Sequence, residues 1–131
     1  MAIHWQMPAP IRPYYLTELN AARTAEAEDD PRRAWRHLER AHILGQRWPR
    51  SHTAVHWRML RFGFRLKNGR EVLGQLPRLF TGGVKSFVGH IPVGNTGGAD
   101  VPPLRPMHIP EDLLSILAMR LPVPHASNTE R

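Results

Sequence analysis

No cysteine occurs among the 131 residues. Disulfides, thiolate metal ligands, iron–sulfur clusters and cysteine nucleophiles are therefore all excluded, while the redox compartment stays open. No uninterrupted apolar run approaches the roughly 20 residues needed to cross a bilayer, so no membrane partner is expected. The first ten residues have neither the basic region nor the apolar stretch of a secretory signal, and a cytoplasmic location is the expectation. There is no Gly-x-Ser-x-Gly elbow and no pair of catalytic carboxylates. The segment PVGNTGG (92–98) has the look of an anion nest. It lacks the lysine and following helix of a phosphate loop, and reads as a structural turn.

Acidic residues are scarce where basic ones are dense. The net charge is +7, but residues 1–31 balance to −3, residues 32–70 to +10 and residues 71–131 to zero. Eleven lysines and arginines in the middle segment face a single carboxylate, Glu39. Any electrostatic partner belongs to that segment. Hydrophobic residues make up 41% of the chain, enough for a modest core and against global disorder. A length of 131 residues points to one domain.

The pattern is all-α: a small bundle of three to four helices plus a C-terminal helix, with a long Gly/Pro-rich irregular arm. Residues 14–80 form the helical core in this reading, 81–110 the arm, 111–120 the last helix and 121–131 a loose tail. Helix formers from Tyr14 to Glu28 give a first helix. Asp29-Asp30-Pro31 ends it and caps a second over 31–45, with proline at the first helical position. Trp48-Pro49-Arg50-Ser51 reads as a turn, with Ser51 capping a third helix over 52–67 that stops at Asn68-Gly69. A fourth, over 70–80, contains Pro77 and is kinked or cut short there. Helix lengths suit a tetratricopeptide-like repeat, without a clear repeat of its small-residue pattern.

Unrolled at about 100° per residue, the second helix has an apolar stripe of Ala34, Leu38, Ala41 and Gly45, with Trp35 on its edge. Val55, Met59, Phe62, Gly63 and Leu66 form the stripe of the third. Arg36, Arg40, Arg58, Arg61 and Arg65 lie away from these stripes and are expected to be exposed. His42, His52 and His56 fall within the stripes, and Glu39 lies on the edge nearest His42.

Glu39-x-x-His42 places a carboxylate and an imidazole on adjacent turns of one helix face, as carboxylate-bridged metal sites do. His52-x-x-x-His56 has the one-turn spacing of helical zinc sites. A short turn between the helices brings these groups together as three nitrogen ligands and one oxygen. That set suits zinc or ferrous iron, and also nickel or cupric copper. Two other readings stand beside it: a structural histidine–glutamate network, and metal-free acid–base chemistry. Unsatisfied buried imidazoles would cost roughly 1–3 kcal/mol each, so something must satisfy them. His37 is either a further or supporting ligand or a solvent-facing residue. His90 and His108 reach the site only if the arm folds back, and His4 and His125 sit in terminal segments.

HLERAHILGQ (37–46), SHTAVHWRML (51–60), PVGNTGG (92–98) and PMHIPEDL (106–113) together resemble an uncharacterised bacterial family of small proteins, domain of unknown function 3703. The resemblance covers roughly residues 14–113. It implies an association with metal-cation efflux and heavy-metal resistance genes, and it implies no catalysis. The matching positions are His37, Glu39, His42, His52 and His56, with Asn95 in the Gly-rich turn; His90 and His108 are not carried over.

The leading expectation is a small metal-binding protein whose site, three histidines and one glutamate, lies on a helical hairpin. Metal handling needs a closed site, whereas a mononuclear iron or zinc enzyme needs an open position. The alternative is a basic helical module that binds nucleic acid or an acidic protein through its arginine faces. A homodimer is compatible with either.

Overall fold

A computed structural model of the chain describes residues 5–75 and 107–120. The arm from 81 to 106, the Gly-rich turn at 92–98, Pro77, His4, His90, His125 and the tail lie outside the described residues. Within them the architecture is all helical: α1 (Arg12–Ala27), α2 (Pro31–Gly45), α3 (Pro49–Arg65), α4 over residues 69–75 and α5 (Glu111–Leu117), continued by one 3₁₀ turn, Ala118–Arg120. No described helix is long and apolar enough to cross a membrane.

The α1–α2 joint follows the local chemistry of Asp29-Asp30-Pro31. Asp29 takes a left-handed conformation at φ 56°, and the amide of Asp30 donates back to the Ala25 carbonyl, closing the helix in a Schellman-type turn. Asp30 then caps α2 by accepting from the Arg33 amide at 3.1 Å, and Pro31 occupies the first helical position.

The next joint differs from the sequence expectation. α3 begins at Pro49 rather than at His52, and Ser51 lies inside its first turn instead of capping it. The residue in the capping position is Trp48, in extended backbone. Proline's fixed φ suits a first helical position, so Trp48-Pro49 starts the helix where a turn is expected. Only three residues separate α2 from α3, which holds His42 close to His52. α3 ends at Arg65, and the chain turns away at Lys67, left-handed at φ 53°, with the Asn68 amide donating to the Gly63 carbonyl. Asn68 turns out to cap α4, accepting from the Glu71 amide at 3.2 Å.

The core forms where α1 and α2 pack along their lengths and α3 and α5 close over α2. Ile11, Leu38, Leu44, Met59, Val55 and Leu113 are fully buried. The expected α2 stripe is buried, as are Val55, Met59, Phe62 and Gly63 of α3. Leu66 is not: it follows the last helical residue and is 47% exposed. Trp35 stacks on Phe62 with ring centroids 5.6 Å apart. Trp48 is buried, whereas Trp57 is half exposed.

Gly45 marks a close approach of α1 to the α2–α3 joint. A Cβ there would fall 2.9 Å from Cε2 of Tyr15 and 3.1 Å from Cβ of Ser51. The Tyr15 ring cannot easily retreat, because its hydroxyl donates to the Ser51 carbonyl at 2.9 Å. Burial pushes the Tyr15 pKa up to about 12. Gly45→Ala should therefore lower stability by about 1–3 kcal/mol in urea unfolding. The gain in helix propensity, at most about 1 kcal/mol, offsets only part of this.

Of the five arginines expected outside, Arg36, Arg61 and Arg65 are exposed, while Arg40 and Arg58 are half-buried. Arg40 is drawn in by acids from two other helices: its Nε donates to Glu18 of α1 at 2.8 Å, and its terminal nitrogens pair with Asp112 of α5. This contact holds the Asp112 carboxyl below its usual pKa, through the hydrogen bond from Arg40 foremost. A depressed carboxylate stabilises above its unfolded pKa and loses that contribution as pH falls through the folded value. Amide protection in α5 should thus hold from pH 7 to 5 and fall below about pH 4. Hydrogen exchange across that range checks it, and Asp112→Asn should reproduce the weakened α5 at neutral pH.

Candidate metal centre

His42 sits in the last turn of α2, and His52 and His56 occupy successive turns at the start of α3. The short joint folds one helix end against the other helix start, so the three rings meet in the interior with exposures of 3%, 5% and 2%. Their Nε2 atoms form a near-equilateral triangle: 3.0 Å from His42 to His52, 3.1 Å from His42 to His56 and 3.1 Å from His52 to His56. The ring centroids are much farther apart, at 4.7–4.8 Å. Each ring therefore turns its Nε2 inward, towards one common centre.

That convergence restricts protonation. A proton on Nε2 projects into the shared space, and two such protons would collide. No more than one of the three nitrogens can carry one at a time, so at least two lone pairs face each other inside the protein. A neutral imidazole has one donor and one acceptor nitrogen, and lone pairs aimed at a single point are the arrangement a cation satisfies.

One tautomer is set from outside the trio by α4. Nδ1 of His56 lies 2.6 Å from Oε1 of Gln75, which is completely buried. Nε2 of Gln75 in turn donates to Oε1 of Glu71 at 2.7 Å. A carboxylate only accepts, so the Gln75 amide group faces Glu71 and its carbonyl faces His56. Nδ1 of His56 must then be the donor, which leaves the Nε2 lone pair directed into the triangle. Support of this kind, from a neighbour on the non-ligating nitrogen, fixes the ring and its basicity at metal sites.

The structure brings together three of the four groups expected from sequence. Among the described residues, the set of potential metal-ligating side chains whose ligand atoms lie within 4.8 Å of one another is His42, His52 and His56. Glu39 is half-buried on α2, one turn before His42, and is not a member of that set. His37 belongs elsewhere: its Nδ1 lies 2.6 Å from Oε2 of Glu18, the carboxylate that also accepts from Arg40. His108 is exposed ahead of α5. Gln75 and Glu71 were not anticipated. Their one-turn spacing on α4 was legible, but nothing local to residues 69–75 indicates that this turn lies against His56.

The fold and site define an all-α protein with a buried three-histidine cluster capable of holding a metal ion. The chain belongs to the family described as "Protein of unknown function (DUF3703)", whose model matches residues 9–117 and so spans every residue of the cluster and its α4 support. No curated protein and no solved structure matches the chain.

Proposed function

We propose that the protein binds one divalent transition metal through Nε2 of His42, His52 and His56 and serves in metal handling. The observation that carries this reading is the inward convergence of three buried imidazole nitrogens within 3.1 Å of one another. The centre of that triangle is about 1.8 Å from each nitrogen, by its edge lengths. Zinc–imidazole bonds run about 2.0–2.1 Å. Three nitrogens so spaced would hold one such ion between them. Glu39, one turn before His42 on α2, would supply a carboxylate to balance part of the charge. Three nitrogens without a thiolate suit zinc or ferrous iron, then nickel or cupric copper.

The decisive experiment is elemental analysis of protein purified without an affinity tag, followed by reconstitution with zinc and with ferrous iron. One equivalent of metal per chain supports the proposal; a chain that retains none after reconstitution overturns it. Binding should also depend on pH in a defined direction. Imidazole ordinarily titrates near pH 6.5, and its protonated form cannot coordinate. Affinity should therefore be full above about pH 7 and fall steeply below about pH 6, as checked by competition with a chromophoric chelator.

A further inference from the structure

Away from the histidine cluster, α1 and α3 run side by side in the same direction. Tyr15 is joined to Ser51 near their starts and Glu26 to Arg65 near their ends. Between them lies an open groove of about 340 Å³. Its floor is apolar, made by Ala22, the buried Leu38 of α2 and Phe62. Its rim is strongly basic: Arg23 comes from α1, and Arg58, Arg61 and Arg65 from successive turns of α3. Trp57 stands on the same wall, half exposed.

The one acid of the groove, Glu26, is already held by Arg65. Among the described residues, Arg23, Arg58 and Arg61 form no ion pair. Three uncompensated guanidinium groups beside an apolar floor and an exposed indole are more than a solvated helix face requires. The Glu26–Arg65 pair shows how the groove treats a carboxylate: it is taken up by an arginine from the facing helix. The lining of α3 runs from Ala54 to Arg65, about 16 Å along the axis at 1.5 Å per residue. That accommodates several residues of an extended chain.

We propose that this groove docks an acidic peptide segment of a partner protein. Its carboxylates pair with Arg23, Arg58 and Arg61, while an interspersed apolar side chain lies on the floor against Trp57. Arginine is suited to this role, since its planar fork matches a carboxylate and stacks on aromatic rings. A nucleic-acid duplex is too broad to enter such a cleft. The apolar floor also favours peptide side chains over a uniformly charged phosphate backbone.

The test is fluorescence anisotropy of the whole 131-residue chain with a labelled ten-residue peptide of alternating glutamate and leucine. A single-stranded oligonucleotide of equal length serves as competitor. Saturable peptide binding is expected, weakening at least tenfold between 50 and 300 mM salt and shifting Trp57 emission. Arg58→Glu/Arg61→Glu should abolish it with the helical circular dichroism intact. Arg32→Glu/Arg36→Glu, equal in charge but outside the groove, should leave it within twofold. Equal loss in both variants would reduce the effect to net charge and overturn the proposal. So would an oligonucleotide that binds tighter than the peptide, or peptide binding that does not saturate.

Discussion

The His52→Ala/His56→Ala variant should take up no metal under conditions where the native protein binds one equivalent, and its melting temperature should no longer respond to zinc. Two of the three inward nitrogens are gone, and a single remaining imidazole cannot hold a divalent ion against bulk water and chelator. In the native protein, metal at a thousandfold excess over Kd adds about 4 kcal/mol of stability, because the ion binds the folded chain alone. For a chain of this size that corresponds to a rise in Tm on the order of 10 °C. The variant should show none of it, while His125→Ala should retain it all. Inductively coupled plasma mass spectrometry and a thermal scan with and without metal provide both readouts. An unchanged stoichiometry in the double variant would leave the cluster as a structural network and end the metal reading.

Gln75→Leu should weaken metal binding by about 10–100-fold, the range seen when a supporting partner of a ligating histidine is removed. The substitution conserves bulk at a fully buried position but deletes the acceptor that holds the proton on Nδ1 of His56. The ring is then free to carry its proton on Nε2, and binding must first displace it. Glu71→Gln should act in the same direction with smaller effect, since it removes the feature that fixes which end of the Gln75 amide faces His56. Nitrogen-15 shifts of the imidazoles in chelator-treated protein report the tautomer without any metal present. They should show His56 protonated on Nδ1 in the native chain and a shift towards Nε2 protonation in Gln75→Leu. A native His56 protonated on Nε2 would refute the α4 relay even if metal still bound.

The main parts of the fold and of the site were legible for different reasons. Helix identity followed from apolar stripes recurring at helical spacing, and the α1–α2 joint followed from Asp30 and Pro31, whose capping chemistry is local. The α3 start departs from the sequence expectation because Trp48-Pro49 can begin a helix as readily as it can make a turn, and Pro49 takes the first helical position. Helix phase places Arg40 outside. It is half-buried because Glu18 and Asp112, 22 and 72 residues away, converge on it from other helices. The role of His37 was illegible for the same reason, its partner being Glu18.

By itself the sequence determined the helical class, the concentration of positive charge in one segment, the exclusion of thiolate chemistry and the inward phase of His42, His52 and His56. All of these depend on residue type and short-range periodicity, which a chain carries before it folds. Only the tertiary structure decided that the three Nε2 atoms meet at 3.0–3.1 Å, that Glu39 stands outside that group while Gln75 and Glu71 support it, and that arginines from α1 and α3 flank a common groove. These are relations between elements remote in sequence. They depend on helix crossing and on where a three-residue joint places one helix end against the next, and no local pattern of side chains encodes either.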